Sequence, residues 1–313
     1  MASLIAPEEF SAVADAEALK KAFHGWGTNE KGVIAILGHR NAAQRKMIWE
    51  AYEEKYQENF IKRLESELSG HFEKAVYRWV LDPADRDAVL VNLAIKKVPD
   101  PRVIVEMSCV KAPEDLLIVK RAYQIRYKRS MEEDIASHTS GDMRKFLVAL
   151  VGVHRYDGGE IDTKLAKSEA DVLNKAIKEN ILTHEEIIRI ITTRSKAQLM
   201  ATRNHYKDAQ GISLSKHLAE NPANEFLSAL LTAIKCLTEP KRYYEKVLRT
   251  AIKQKGTDED ALTRVIVTRA EVDLEEIKDL YYKRNSVTLE NAVAKETSGH
   301  YKAFLLTLLG KQD

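Results

Sequence analysis

Residues that interrupt helices are scarce in this chain, with 13 glycines and 7 prolines among 313 residues. So few turn formers over that length favour helix throughout. Two cysteines, Cys109 and Cys236, are too few for a disulfide framework, and each lies among apolar or helix-forming neighbours, as a buried small hydrophobe does. No apolar run approaches the roughly 18 residues of a bilayer-spanning helix. The first ten residues, MASLIAPEEF, lack the basic start and sustained apolar core of a signal peptide, so the cytosol is the expected compartment. Charge of one sign is also missing: 49 basic against 47 acidic side chains leave +2, and no nucleic-acid partner is expected. Several metal-binding and catalytic motifs fail. DPADRD (82–87) lacks the spacing and central glycine of an EF-hand loop. HEEII (184–188) ends in Ile188 where a zincin needs histidine, and Gly310-Lys311 would need a glycine at Leu305 for a phosphate-binding loop.

What the chain does have is internal repetition. GTNEKGVIAILGHR (27–40) aligns with GTDEDALTRVIVTR (256–269) at an offset of 229, without a gap as far as ESELSGHF (65–72) over AKETSGHY (294–301). Two further copies lie at offsets of 71 and 154, where Tyr123 and Tyr206 repeat Tyr52, and Lys111 and Arg194 take the place of Arg40. The expected divisions are 13–83, 84–154, 167–240 and 241–313, with 155–166 as a polar, glycine-containing linker that separates the copies two and two. Apolar residues within a copy recur at helical spacing, as at Val33, Ile34 and Leu37. Thr257-x-x-Asp260, Thr183-x-x-Glu186 and Asn41-x-x-Gln44 read as helix-start boxes, and Asp100-Pro101 as an N-cap followed by proline. The pattern predicts an all-α protein of four repeats with about five helices each, packed together because one copy alone cannot bury its apolar face.

Two copies keep something that the other two lose. A Gly-Thr turn is followed 40 residues later by glutamate in copies one and four, as Gly27 to Glu67 and Gly256 to Glu296. Copy two has Val98-Pro99 and His138 in these places, and copy three has Ile181-Leu182 and Asn221. A turn and a distant acid that vanish together point to one shared ligand. Ca²⁺ fits that pair, since it takes six to eight oxygens, many of them backbone carbonyls, plus a carboxylate. One carboxylate per site implies weak intrinsic affinity, with coordination positions left for water or phosphate.

Four copies of roughly 70 residues, the stretches GWGTNE, KGTDEDALTR and SELSGHFEKA, and the spaced glutamates resemble the annexin family over residues 13–312. Active first and fourth copies and the tryptophan in the first loop resemble its plant branch. The resemblance implies a slightly curved disc that binds anionic phospholipid through calcium on one face, in the cytoplasm and peripherally on membranes when calcium rises. It implies a first site from the carbonyls of Phe23, Gly25 and Gly27 with Glu67, and a fourth from those of Ile252, Gln254 and Gly256 with Glu296. A minor site near Thr28 and Glu30 belongs to the same expectation. Gln254 stands where the family has glycine, which ranks the fourth site below the first. Trp26 and Lys255, at the loop tips, are the expected membrane contacts, an indole suited to the headgroup layer and an amine suited to its anions.

The same resemblance attaches weaker readings to other residues. His39 matches a position linked to peroxidase activity, Cys109 and Cys236 to redox chemistry, and Ile188-Arg189-Ile190 to F-actin binding. Their local sequence is equally that of a helix end, two buried thiols and a buried helix with one exposed arginine. The alternatives to a membrane-binding protein are therefore an enzyme, either peroxidase or nucleotide phosphohydrolase, or a calcium-permeable channel component.

Overall fold

The computed structural model describes residues 1–24, 27–96, 100–152, 155–178, 185–220, 224–253 and 256–311. They form twenty helices and no strand: α1–α5 in 12–80, α6–α10 in 83–152, α11–α15 in 163–238 and α16–α20 in 240–308. Five helices per copy is the predicted number.

Each copy turns the same corner between its third and fourth helices, for the same chemical reason. The third helices are α3 (Ala42–Tyr56), α8 (Pro113–Tyr127), α13 (Lys196–Gln210) and α18 (Leu274–Asn285). They end at Gln57, Lys128, Gly211 and Ser286, all left-handed, with φ of 51°, 56°, 70° and 56°. Two residues later Asn59, Ser130, Ser213 and Thr288 cap the next helix, each side chain accepting from the backbone N–H three positions on. Three of the four left-handed residues carry a Cβ, at a cost of about 1 kcal/mol each, so packing and the cap impose the corner. The repeated tyrosines explain themselves by burial: Tyr52, Tyr123, Tyr206 and Tyr281 are fully buried. Tyr52 donates to Glu58 at 3.0 Å and Tyr123 to Asp134 at 2.7 Å.

The cation repeated at Arg40 is a clamp onto the first helix of its own copy. Arg40 pairs with Asp15 at 2.7 Å, Lys111 with Asp87 at 2.6 Å and Arg194 with Glu169 at 2.6 Å. In the fourth copy the first helix offers a ring, and Arg269 lies 4.8 Å from the centre of Tyr244.

Two compact units divide the chain, one of 1–86 with 244–313 and one of 87–243. Copies one and four thus share a unit, as do two and three, although the long connection parts two from three in sequence. In the first unit α5 (Gly70–Val80) packs on α17 (Glu259–Arg269) and α20 (Gly299–Leu308). Phe72 meets Phe304 edge-on at 5.9 Å, and the buried Arg78 binds Asp260 at 2.5 Å. In the second, α7 (Pro101–Val110) lies against α15 (Glu225–Thr238).

Sequence and structure differ in two places. Helix α11 (Thr163–Lys178) begins inside the expected linker, because Asp162 accepts from the Leu165 N–H and starts the helix there. The cap of α17 is Asp258, which accepts from Ala261, one residue after the expected Thr257, whose hydroxyl turns to the Glu296 carbonyl. The Asn41–Gln44 box and the Asp100-Pro101 start are formed as predicted, while Thr183 lies outside the described residues.

Burial raises the Cys109 thiol to about 11. A thiol whose folded value lies above its unfolded one, near 8.5–9, stabilises the fold fully below that lower value. That contribution is lost as pH rises from about 9 through 11. Urea titrations of wild type and Cys109→Ala across this range should converge as pH rises. Parallel curves would mean that the thiol ionises as freely in the fold as out of it.

Candidate calcium site

Helix α1 (Ala12–Ala22) ends at Phe23, and α2 (Glu30–Leu37) begins after its cap Asn29, whose side chain accepts from Gly32. The loop between them is closed by the Asn29 N–H bonded to the Ala22 carbonyl at 2.9 Å. The fourth copy closes its loop identically, Asp258 to Ala251 at 2.9 Å. In the second copy Asp100 bonds back to Ala94, which makes that loop one residue shorter. Gly27 and Gly256 sit at φ of 90° and 82°, and a Cβ at either would meet open space. Backbone conformation, not crowding, demands glycine there, and it turns the following Thr toward the distant acid.

Glu67 is the last residue of α4 (Phe60–Glu67) and Glu296 the last of α19 (Leu289–Glu296). The Thr28 hydroxyl donates to the Glu67 carboxylate at 2.5 Å and lies 3.1 Å from its carbonyl. Thr257 lies 3.4 Å from the Glu296 carbonyl, and Glu296 is exposed. The turn thus touches the acid's carboxylate in the first copy, whereas in the fourth it reaches only the Glu296 backbone.

Arg63 was not anticipated. One nitrogen of its guanidinium donates to the Phe23 carbonyl at 2.9 Å and lies 2.8 Å from the Glu67 carboxylate. Two of the expected calcium ligands therefore converge on a single point of positive charge. The donor set suits a hard cation, an uncharged carbonyl and a carboxylate aimed at one place. The sequence signal available was the i, i+4 spacing of Arg63 and Glu67, which by itself is an ordinary helix-surface pair. In the fourth copy Ala292 stands where Arg63 stands in the first.

Other expected residues fall as follows. Thr28 and Glu30 flank the first site, with Glu30 3.8 Å from the His300 imidazole. Glu30, Glu67, Glu296 and His300 line one open cleft of about 330 Å³ in the first unit. Phe23 and Ile252 are buried side chains at the loop entrances, offering backbone alone. Gly25, Trp26, Gln254 and Lys255 lie outside the described residues. His138, in the acid slot of the second copy, bonds back to the Asp134 carbonyl of its own helix.

His39 follows the end of α2 and joins no group of metal-binding side chains among the described residues. Cys109 and Cys236 are buried. Ile188 and Ile190 face the core, at 7% and 0% exposure, and Arg189 is held by Glu186 at 2.7 Å. No helix among the described residues is long and apolar enough to cross a membrane.

The Annexin family model matches four times, at 14–79, 86–150, 168–233 and 243–308. The chain is 68% identical to annexin-like protein RJ4 of Fragaria ananassa over the whole of both chains. It is 52% identical to annexin D7 of Arabidopsis thaliana, covering 97% of this chain and 95% of that one. Among solved structures it superposes on chicken annexin V in complex with Zn²⁺ with a TM-score of 0.93, at 32% identity and 99% coverage of both. On calcium-bound annexin (Sm)1 the TM-score is 0.85, at 27% identity, with 99% of this chain and 93% of that one covered. Four matched repeats, the helical fold and the plant relatives agree: the chain belongs to the annexin family, in its plant-type branch.

Proposed function

We propose that this protein binds anionic phospholipid membranes peripherally when calcium rises, through one site in the first repeat and one in the fourth. Annexin membership and the likeness to a calcium-bound annexin support calcium-dependent membrane binding in general. The observation that carries the first site is the convergence of the Phe23 carbonyl and the Glu67 carboxylate on one cationic nitrogen. Glu67 with the carbonyls of Phe23, Gly25 and Gly27 would hold the ion there, and Glu296 with those of Ile252, Gln254 and Gly256 in the fourth repeat. Bound calcium supplies coordination positions for phosphate oxygens of a headgroup. Thr28 orients the Glu67 carboxylate. A resting location in the cytoplasm belongs to the same proposal.

Arg63 gives the first site a built-in competitor, because its guanidinium must leave Glu67 before another cation is held. Arg63→Ala should raise calcium affinity at the first loop about fivefold, the equivalent of a part-buried ion pair of ~1 kcal/mol. Titration calorimetry with and without phosphatidylserine vesicles reads this and tests the whole proposal. Calcium and lipid must strengthen each other reciprocally. Equal calcium affinity with and without vesicles would remove the bridging role.

Trp26 and Lys255 are the proposed membrane contacts. Trp79 is fully buried and donates to the Leu37 carbonyl at 2.7 Å, so replacing it would harm the fold. A difference spectrum between wild type and Trp26→Phe isolates the loop indole instead. Its emission should be red in free protein and shift to the blue with calcium and phosphatidylserine vesicles. A difference spectrum already blue without vesicles would place the indole in the core and end the insertion reading.

A further inference from the structure

Helix α8, in the second repeat, carries a face that the fold does not use. At 100° per residue, Glu114, Leu117, Ile118, Arg121, Gln124 and Ile125 lie within about 60° of Arg121, and Lys128 is the left-handed residue that ends the helix just beyond them. All seven are exposed. Leu117, Ile118 and Ile125 are 36%, 52% and 70% exposed. Among the described residues Glu114, Arg121 and Lys128 have no ion-pair partner, whereas Lys120 is bound to Glu132 and Arg129 to Asp134.

The other repeats act as controls, since the left-handed caps fix the register of their third helices. The places of Leu117, Ile118 and Ile125 are taken by Lys46, Met47 and Glu54 in the first repeat. They are Met200, Ala201 and Asp208 in the third, and Glu275, Glu276 and Lys283 in the fourth. The repeat fold therefore does not require branched aliphatic residues here. Scattered exposed hydrophobes need no explanation, but three on one helix face, framed by charges, do.

The order along this face is acid, apolar, cation, apolar, cation, and it complements itself when reversed. In an antiparallel pair centred on residue 121, Glu114 meets Lys128 of a second copy and Leu117 meets Ile125. Both contacts then occur twice, as an isologous two-fold interface demands. We propose that α8 is a homodimer contact, in which two copies of this chain pair antiparallel about Arg121. One helix pair buries less than the ~1,200 Å² of a standard stable interface, so the association is weak, with a dissociation constant of about 100 µM. The two Arg121 side chains meet at the axis and oppose the pairing.

Sedimentation equilibrium in chelator, at low salt and over about 10–500 µM chain, tests this apart from calcium and lipid. The wild type should rise toward twice the monomer mass. Glu114→Lys alone and Lys128→Glu alone each place like charges at both ends and should weaken association at least about fivefold. An equimolar mixture of those two variants restores both opposite-charge contacts and should associate as well as wild type. All three positions are exposed, so the variants should fold. Arg121→Gln should tighten the pair by removing the repulsion at the axis. An acidic peptide or lipid surface on this face would instead lose affinity with that variant. A wild type that stays monomeric over the range, a mixture no more associated than its components, or weaker association of Arg121→Gln each overturns the proposal.

Discussion

A protein carrying both Glu67→Gln and Glu296→Gln will fail to sediment with phosphatidylserine vesicles at calcium concentrations that bring down the wild type. Each substitution removes the one carboxylate of its loop and leaves only neutral carbonyls, which hold a hard divalent cation poorly. On the two-site proposal a loss of about tenfold in calcium affinity per site is expected, and the two losses would multiply because docking would need calcium in both loops. The fold should be intact. Glu296 is exposed, and Glu67 gives up an ion pair with Arg63 worth at most ~1 kcal/mol. The single variants separate two opposing influences on rank. On the two-site proposal, Gln254, which stands where the first copy has Gly25, would weaken the fourth loop, while Arg63 would compete in the first and has no counterpart at Ala292. Glu67→Gln should therefore show its larger effect in an Arg63→Ala background. Normal pelleting of the double variant would refute the two-site proposal.

The largest expected loss of stability comes from Glu271→Gln. Arg45 is 1% exposed, stacked 3.6 Å from the centre of the Trp79 ring, and bound to Glu271 at 2.9 Å. Glu271 also accepts from the Ala42 N–H at 2.6 Å, which joins the first and fourth repeats within their unit. Burial holds the Arg45 guanidinium down to about 10, still cationic at neutral pH. Glutamine keeps the bond to Ala42 but leaves a buried cation without its counter-charge, at a cost of about 3 kcal/mol. For a unit of this size the melting midpoint should fall by roughly 6–12 °C. Removing both charges while keeping the bond to Ala42, as Arg45→Met with Glu271→Gln, should recover most of the loss, because a buried pair mainly cancels its own desolvation. A single variant within about 1 kcal/mol of wild type would mean that water reaches Arg45. Scanning calorimetry of the three proteins measures it.

The all-α class, the four repeats with five helices each, the family, and the nearness of the first Gly-Thr turn to Glu67 could be read from the sequence. These were legible because they rest on local chemistry and on comparison of the chain with itself. Helical periodicity, an Asn41–Gln44 cap and a glycine needed at positive φ are written in neighbouring residues, and four copies supply their own controls. The remainder depends on how the helices pack. No composition or spacing reveals that the first repeat shares a unit with the fourth, because that depends on which apolar faces fit, as Phe72 fits Phe304. The repeated cation at Arg40 reads as charge in sequence and becomes a clamp only when its own copy's first helix brings Asp15, Asp87, Glu169 or the ring of Tyr244 to it. Arg63 was hidden for a further reason. One of its partners is a backbone carbonyl, which every residue possesses and no letter of the sequence marks. Only a chain folded so that Phe23 comes within 2.9 Å of the guanidinium turns that ordinary oxygen into part of a cation site.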